Sequence, residues 1–343
     1  MMNRPLTISL DAMGGDNSAE VVVPAAVNAL SHYDDIRLIL VGDRNVLLEK
    51  LEAVNEPHGD RLIVHHASQK VEMGEPPAQA FRMKKDSSMR VAINLVKEGE
   101  ADSMVSAGNT GALMVTARYV LKTLIGIDRP AIITAIPSVN GHTHMLDLGA
   151  NVDCTAEHLF QFAAMGSVLS TAVDDIPQPR VGLLNVGQED IKGNDQVKRA
   201  STLLENSPLN YIGYVEGDDI YLGDVDVVVC DGFVGNVSLK TSEGVAKMVS
   251  EYFRQQLKRN LFTKLLGLLA APSLKPVARR FDPRRYNGAS LLGLQGIVIK
   301  SHGGVDTFAF ENAIKIARIE SKKGVPQRIN RQLENLLNYR RPH

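Results

Sequence analysis

Two glycine- and asparagine-bearing turns carry the residue types best suited to holding an anion. One is Asp231-Gly232-Phe233-Val234-Gly235-Asn236, at the end of the apolar run Val225 to Cys230 and ahead of Val237-Ser238-Leu239-Lys240. The other is Ala107-Gly108-Asn109-Thr110-Gly111, which follows Ser103-Met104-Val105-Ser106 and leads into a helix expected from Ala112. A turn at the carboxyl end of a buried parallel strand presents free backbone N–H groups to a crevice, which suits an anion. Gly232 and Gly235 permit backbone angles and close approaches that a Cβ would block. Asn236 stands where the N-cap of the next helix is expected. Gly-Asn after a strand is also common punctuation, so either turn alone reads equally as loop chemistry. Two in one chain suggest a site for a phosphate-like group.

The elements that position these turns alternate. Strands are expected at Leu6–Asp11, Ile36–Val41, Arg61–His66, Ser103–Ser106, Ala131–Ile136, Thr143–Leu148, Val181–Asn185, Tyr211–Val215, Asp226–Cys230 and Gly296–Lys300, with helices between most of them. This pattern predicts a three-layer α/β/α fold with a mostly parallel sheet. Asn140-Gly141 is a hairpin signal, so one antiparallel element is expected. Ligands of such sheets gather at the carboxyl ends of the strands, and the polar turns of this chain all follow strands. No fixed-period repeat or low-complexity linker marks a boundary, so residues 1–343 read as a single α/β domain.

Composition excludes several classes of function. With 343 residues, 44% hydrophobic and 22% charged, the chain is an ordinary soluble globular protein. A net charge of −1 provides no global field for nucleic acid. Cys154 and Cys230 form no motif and read as buried free thiols. No zinc or calcium motif is present, and no metal or other cofactor is expected. His142 and His144 share a strand face with Asp147 nearby, but read as core or surface histidines rather than ligands. The N-terminus has no signal-peptide pattern, and no run reaches transmembrane length.

Residues 251–285 depart from this background. Nine Lys/Arg face only Glu251 and Asp282, a net +7 in a chain of net −1. Within it, Leu261, Phe262, Leu265, Leu266, Leu268 and Leu269 fall on one broad helical face. Pro272 is expected to break the helix and give a helical hairpin. The apolar face can pack on the core or a second subunit, lie on an anionic membrane, or bind something greasy while the basic residues dock an acidic partner.

The ordered set of motifs resembles the bacterial phosphate acyltransferase family, the acyl-acyl-carrier-protein:phosphate acyltransferases of phospholipid synthesis. The matching stretches are Asp11-Ala12-Met13-Gly14-Gly15-Asp16, Ser106 to Ala112, Leu146-Asp147-Leu148-Gly149-Ala150-Asn151 and Leu184-Asn185-Val186-Gly187. They continue with Lys192-Gly193-Asn194, Asp231 to Asn236 and Ile299-Lys300-Ser301-His302-Gly303. The resemblance implies attack of inorganic phosphate on the thioester of a fatty acyl-acyl carrier protein, giving an acyl phosphate. It also implies a homodimer, a fold similar to phosphotransacetylases and isocitrate/isopropylmalate dehydrogenases, and a cytoplasmic protein peripherally bound to the membrane or to a membrane acyltransferase.

In that chemistry phosphate is the nucleophile, so no activated Ser or Cys is required. The protein must hold and aim an anion and stabilise an oxyanion. The resemblance assigns catalysis to Lys192 and Asn236. Lys192 reads otherwise as a solvated loop lysine, and Asn236 as a cap. Gly14, Gly15, Asn109, Thr110, Gly111 and Asn194 are candidates for binding phosphate or substrate. Asp11, Asp16 and Asp231 either orient donors and accept a proton or simply form turns. Lys300 and His302 follow the last strand into the same crevice. The rival readings are a phosphotransacylase using coenzyme A thioesters, a nicotinamide-dependent decarboxylating dehydrogenase, and a membrane-recruited scaffold of lipid synthesis. The dehydrogenase lacks its Gly-x-Gly-x-x-Gly fingerprint here.

Overall fold

Short strands of near-continuous Val, Ile and Leu form the centre of the molecule, as expected where both sheet faces are covered. The computed structural model describes residues 4–54, 59–280 and 282–339. In chain order the elements are β1 (Leu6–Asp11), α1 (Ser18–His32), β2 (Ile36–Gly42), α2 (Arg44–Val54), β3 (Leu62–His66), α3 (Pro77–Met83), α4 (Ser88–Lys97) and β4 (Ser103–Ser106). Next come α5 (Thr110–Leu121), β5 (Ala131–Ser138), β6 (Gly141–Leu146), α6 (Ala156–Val173), β7 (Val181–Leu184), α7 (Asp195–Glu205), β8 (Tyr211–Val215), α8 (Asp219–Leu222) and β9 (Val227–Val229). The chain closes with α9 (Gly232–Lys258), α10 (Leu261–Arg280), β10 (Ala289–Leu292), β11 (Ile297–Lys300), α11 (Thr307–Lys323) and α12 (Val325–Tyr339).

The strands form one 11-stranded sheet in the order β3-β2-β1-β4-β11-β10-β5-β6-β9-β7-β8. The first five run parallel to one another, and so do the last four. Between them β10 is antiparallel to both β11 and β5, and β5 is antiparallel to β6. The Asn140-Gly141 hairpin is therefore present, and β10 adds a second antiparallel strand that was not expected. Following the directions across the sheet, the two parallel halves point opposite ways. Their carboxyl ends open at opposite edges, so the polar turns do not share one edge.

Period-two alternation divides the core. Ile133 packs with Leu146 and α6 on one face, whereas Ile132 and Ile136 face the other with α4 and α5. On the first half of the sheet, α1 and α11 fill the remaining face through Val22, Ala26, Phe310 and Ala317. The two helices α9 and α10 pack on each other, and every described side chain of α10 is at least partly exposed. Pro272 does not break α10, which continues through it and through Pro276; the chain reverses instead at Arg259-Asn260. The carbonyls that lose a helical N–H partner are those of Leu268 and Pro272, both in exposed residues where solvent has access.

Candidate active site

At the carboxyl edge of the first half, three turns converge. Asp11 ends β1 fully buried; its Oδ1 accepts from Ser88 Oγ at 2.5 Å and its Oδ2 from Ser106 Oγ at 2.6 Å. Burial pushes its pKa up, and those hydroxyls with the N–H groups of Met13 and Gly14 offset only part of that rise. A Cβ on Gly14 would collide with the Asp11 carboxylate. Gly15 has φ of +89° and lies against the Gly303 carbonyl, which accepts from Asp16 N at 3.0 Å. These contacts join the β1 turn to the β11 turn.

The β4 turn opens α5 at Thr110 rather than Ala112, with Asn109 as its N-cap, accepting from Ala112 N at 3.0 Å. The Asn109 amide donates to the carbonyls of Met73 and Glu75 at 2.7 and 3.0 Å, which pins that loop to the helix. Thr110 and Gly111 then begin the helix, where N–H groups and the positive end of the dipole attract anions. Lys300 donates to the carbonyls of Ala107 and Ser301. Burial brings its amine down to about 8, against the pull of Asp11 and Asp16. His302 Nε2 lies 3.6 Å from Glu243 Oε1. Partial burial lowers its pKa; Glu243 opposes this, and Lys240, Lys300 and Lys247 reinforce it.

The opposite edge carries the second set. Helix α9 starts at Gly232, capped by Asp231, whose Oδ1 accepts from Val234 N at 2.9 Å. Asn236 is therefore not the N-cap; it lies in the second turn, exposed, with its side chain against Gly149. Gly235 is required for close approach, because a Cβ there would strike the Asp147 carbonyl. Lys192 is exposed and ion-paired to Glu189 at 2.7 Å. Its loop is braced by Asn185, which donates to the carbonyls of Gly187 and Lys192 at 3.0 and 3.3 Å. Asn194 caps α7, accepting from Val197 N at 2.9 Å.

A mainly apolar cavity of about 1260 Å³ lies over β5, on the face shared with α5, and is roofed by α9. Thr110, Asn236, Lys300 and His302 all line it. Helix α9 brings them together by crossing the sheet: Asn236 stands near the second edge, while Lys240 and Glu243 reach the His302 side of the first. Lys192, Asn194 and Asp231 do not line the cavity, and Asp11, Gly14, Gly15, Asn109 and Gly111 also stay off its wall. Lys240 and Glu243 do line it and were missed in the sequence. Their spacing of i+4 and i+7 from Asn236 was the available signal.

Both cysteines are buried. Burial pushes the Cys154 thiol up to about 12 and raises Cys230 well above its ordinary value, so neither is a thiolate at neutral pH. His142 and His144 do not meet Asp147, which is buried and accepts from the N–H groups of Ile132, Ala150 and Asn151. Their partner is Asp174 at the end of α6, at 3.0 and 2.7 Å.

The family model described as "Fatty acid synthesis protein" matches residues 6–328. A relative named phosphate acyltransferase from Alkalilimnicola ehrlichii is 63% identical over 336 residues, 98% of each chain. One of the same name from Halorhodospira halophila is 60% identical over 337 residues, again 98% of each. Among solved structures, a phosphotransacetylase from Streptococcus pyogenes matches with TM-score 0.64 at 18% identity, over 93% of this chain and 94% of that one. This structural likeness shows a shared fold. By sequence, the chain belongs to the fatty acid synthesis protein family, the family of these phosphate acyltransferases.

Proposed function

We propose that the chain transfers a fatty acyl group from acyl carrier protein to inorganic phosphate. The observation that supports this most directly is the meeting of the α5 N-terminus, the Lys300 amine and His302 with a mainly apolar cavity. One part of that space suits an anion and the rest suits a greasy chain. Monohydrogen phosphate attacks the thioester carbonyl, a tetrahedral oxyanion forms, and the carbon–sulfur bond breaks. The phosphate proton ends on the departing thiol, leaving an acyl phosphate.

Lys300 and the N–H groups of Thr110 and Gly111 hold the phosphate. Asp11 and Asp16 orient the Lys300 amine. Gly14 and Gly15 let the backbone come close, and Asn109 fixes the helix start. Asn236 donates to the oxyanion from the first turns of α9. Lys192 joins it when the loop from Asn185 to Asn194 swings inward, with Asn194 and Asp231 holding the two helix starts. His302 relays that single proton from the attacking phosphate to the thiol, ending in its starting form.

Helices α9 and α10 form a protruding arm on an isocitrate/isopropylmalate dehydrogenase-like body. Phe233, Val237, Met248 and Tyr252 are exposed on α9 and face a second copy in a homodimer. Leu261, Phe262, Leu265, Leu266, Leu268 and Leu269, from 46 to 84% exposed, meet an anionic membrane at its inner face, while flanking lysines and arginines dock the acidic carrier. None of the described helices is long and apolar enough to cross a membrane.

The test is acyl release. Purified protein is mixed with long-chain acyl carrier protein, with and without phosphate, and acyl phosphate is trapped with hydroxylamine. Phosphate-dependent thiol release with a hydroxamate is expected; silence with the carrier substrate refutes the proposal. The fold likeness to a phosphotransacetylase favours one second reading, coenzyme A as the acyl carrier. Turnover with acyl coenzyme A alone would select it.

A further inference from the structure

The cavity extends past Glu243, where its lining is mainly apolar but includes Ser250, Arg254 and Lys258. Beyond Glu243, the inner face of α9 contributes Ala246, Val249, Phe253 and Leu257, and α10 returns opposite with Leu274 and Val277. Arg280 fastens the far end of α10 to the body by donating to the carbonyls of Ser138 and Val139. At the tip, the Leu257 side chain lies against Gly267 of α10, where a Cβ would stand 3.3 Å from it. The two helices therefore close on each other at Leu257.

We infer that the trough between α9 and α10 is the acyl-chain site, and that its closure at Leu257 sets the longest chain it accepts. This inference rests on the acyl-transfer reading above. The His302–Glu243 pair marks the polar end. From Glu243 to Leu257 is fourteen helical positions, about 21 Å at 1.5 Å per residue. An extended alkyl chain advances about 1.3 Å per carbon, so about sixteen carbons fill that depth. The occupant is a chain rather than a second protein copy because the trough is continuous with the anion-binding end. The outward side chains Phe233, Val237, Met248 and Tyr252 are not among its lining, which leaves them for a protein partner.

The test uses two bulky variants at different depths. Val249 lies six positions from Glu243, about 9 Å, which corresponds to a chain of roughly seven or eight carbons. Binding of octyl- and hexadecylphosphonate is measured by calorimetry, beside acyl release from carrier protein loaded with chains of eight to eighteen carbons. Val249→Trp should lower the hexadecyl-to-octyl affinity ratio at least tenfold. Leu257→Trp should leave twelve-carbon chains accepted and discriminate only against the longest. A cut-off that moves with the substituted residue supports the site, and Leu257→Trp carries the test if Val249→Trp fails to fold. Unchanged ratios in both variants overturn it. So does a Val249→Trp protein whose sedimentation shifts from dimer to monomer with an unchanged chain profile, since the trough would then be a subunit interface. Chain-dependent phosphonate binding without phosphate-dependent release would sink the transfer reading alone. Normal release with an unaltered chain profile would sink only the chain site.

Discussion

Replacing Lys300 by methionine tests the phosphate site most sharply, because it should raise stability while lowering activity. The Lys300 amine is held at about 8 rather than its ordinary 10.5, chiefly by burial. Below pH 8 the folded protein therefore bears the cost of a buried ammonium, ~3 kcal/mol at neutral pH, at 1.36 kcal/mol per pH unit of displacement. Since the folded value lies below the unfolded one, this destabilisation is complete below pH 8 and vanishes as pH rises past 10.5. Lys300→Met keeps the stem and removes the charge, so thermal unfolding at pH 7 should move up by a few degrees, and the gain should shrink toward pH 10. Catalysis should move the other way. A charge-assisted hydrogen bond is worth about 1.5–3 kcal/mol, so kcat/KM for phosphate should fall by roughly 10- to 150-fold while the KM for the acyl donor changes little. Wild-type kcat/KM for phosphate should also decline above pH 8, reaching about a tenth of its plateau at pH 9. Lys300→Arg should abolish that decline. A phosphate dependence flat to pH 9.5, or a methionine variant that is less stable and fully active, would refute the assignment.

Other outcomes follow from the remaining elements. Lys192→Ala removes only an exposed pair with Glu189, so its melting temperature should stay within about 1 °C of wild type, whereas turnover should drop at least tenfold if the loop swings inward; near-normal turnover removes Lys192 from the mechanism. Leu265→Glu with Leu268→Glu alters side chains that are 55 and 72% exposed, so co-sedimentation with anionic vesicles should weaken while circular dichroism is preserved; unchanged co-sedimentation counts against membrane contact. At the Asp174 pair, burial raises the carboxyl but the two imidazoles pull it well below the usual range, and the Asp174 hydrogen bond raises His142 against its burial. The Asp174 contribution is present above pH 3.8 and lost as pH falls through its depressed value, while that of His142 is present below pH 6.5 and lost as pH rises through its raised value. Melting curves of Asp174→Asn should therefore differ most from wild type between those two ordinary values, and a difference independent of pH would exclude this linkage.

Features set by local chemistry were legible in the amino-acid sequence. Runs such as Leu6–Asp11 and Ser103–Ser106 gave their strands without error, because apolar period and flanking turn residues act over a few positions. The Asn140-Gly141 hairpin was legible for the same reason. Close packing at Gly235 was anticipated from residue type, though not the Asp147 carbonyl that demands it. The short strand β10 and helices α3 and α8 carried too few residues to show a period. Which turns meet depends on how strands pair and helices dock. The reversal through β10, β5 and β6 is a matter of strand pairing, and it sends the Lys192 loop and the Lys300 turn to opposite edges. The crossing of α9 brings Asn236 back to a common cavity with Lys300 and His302. It also supplies Lys240 and Glu243, side chains that pass for an ordinary solvated face until the helix is laid across the sheet. Pairing and docking depend on contacts between residues far apart in the chain, and no local pattern records them.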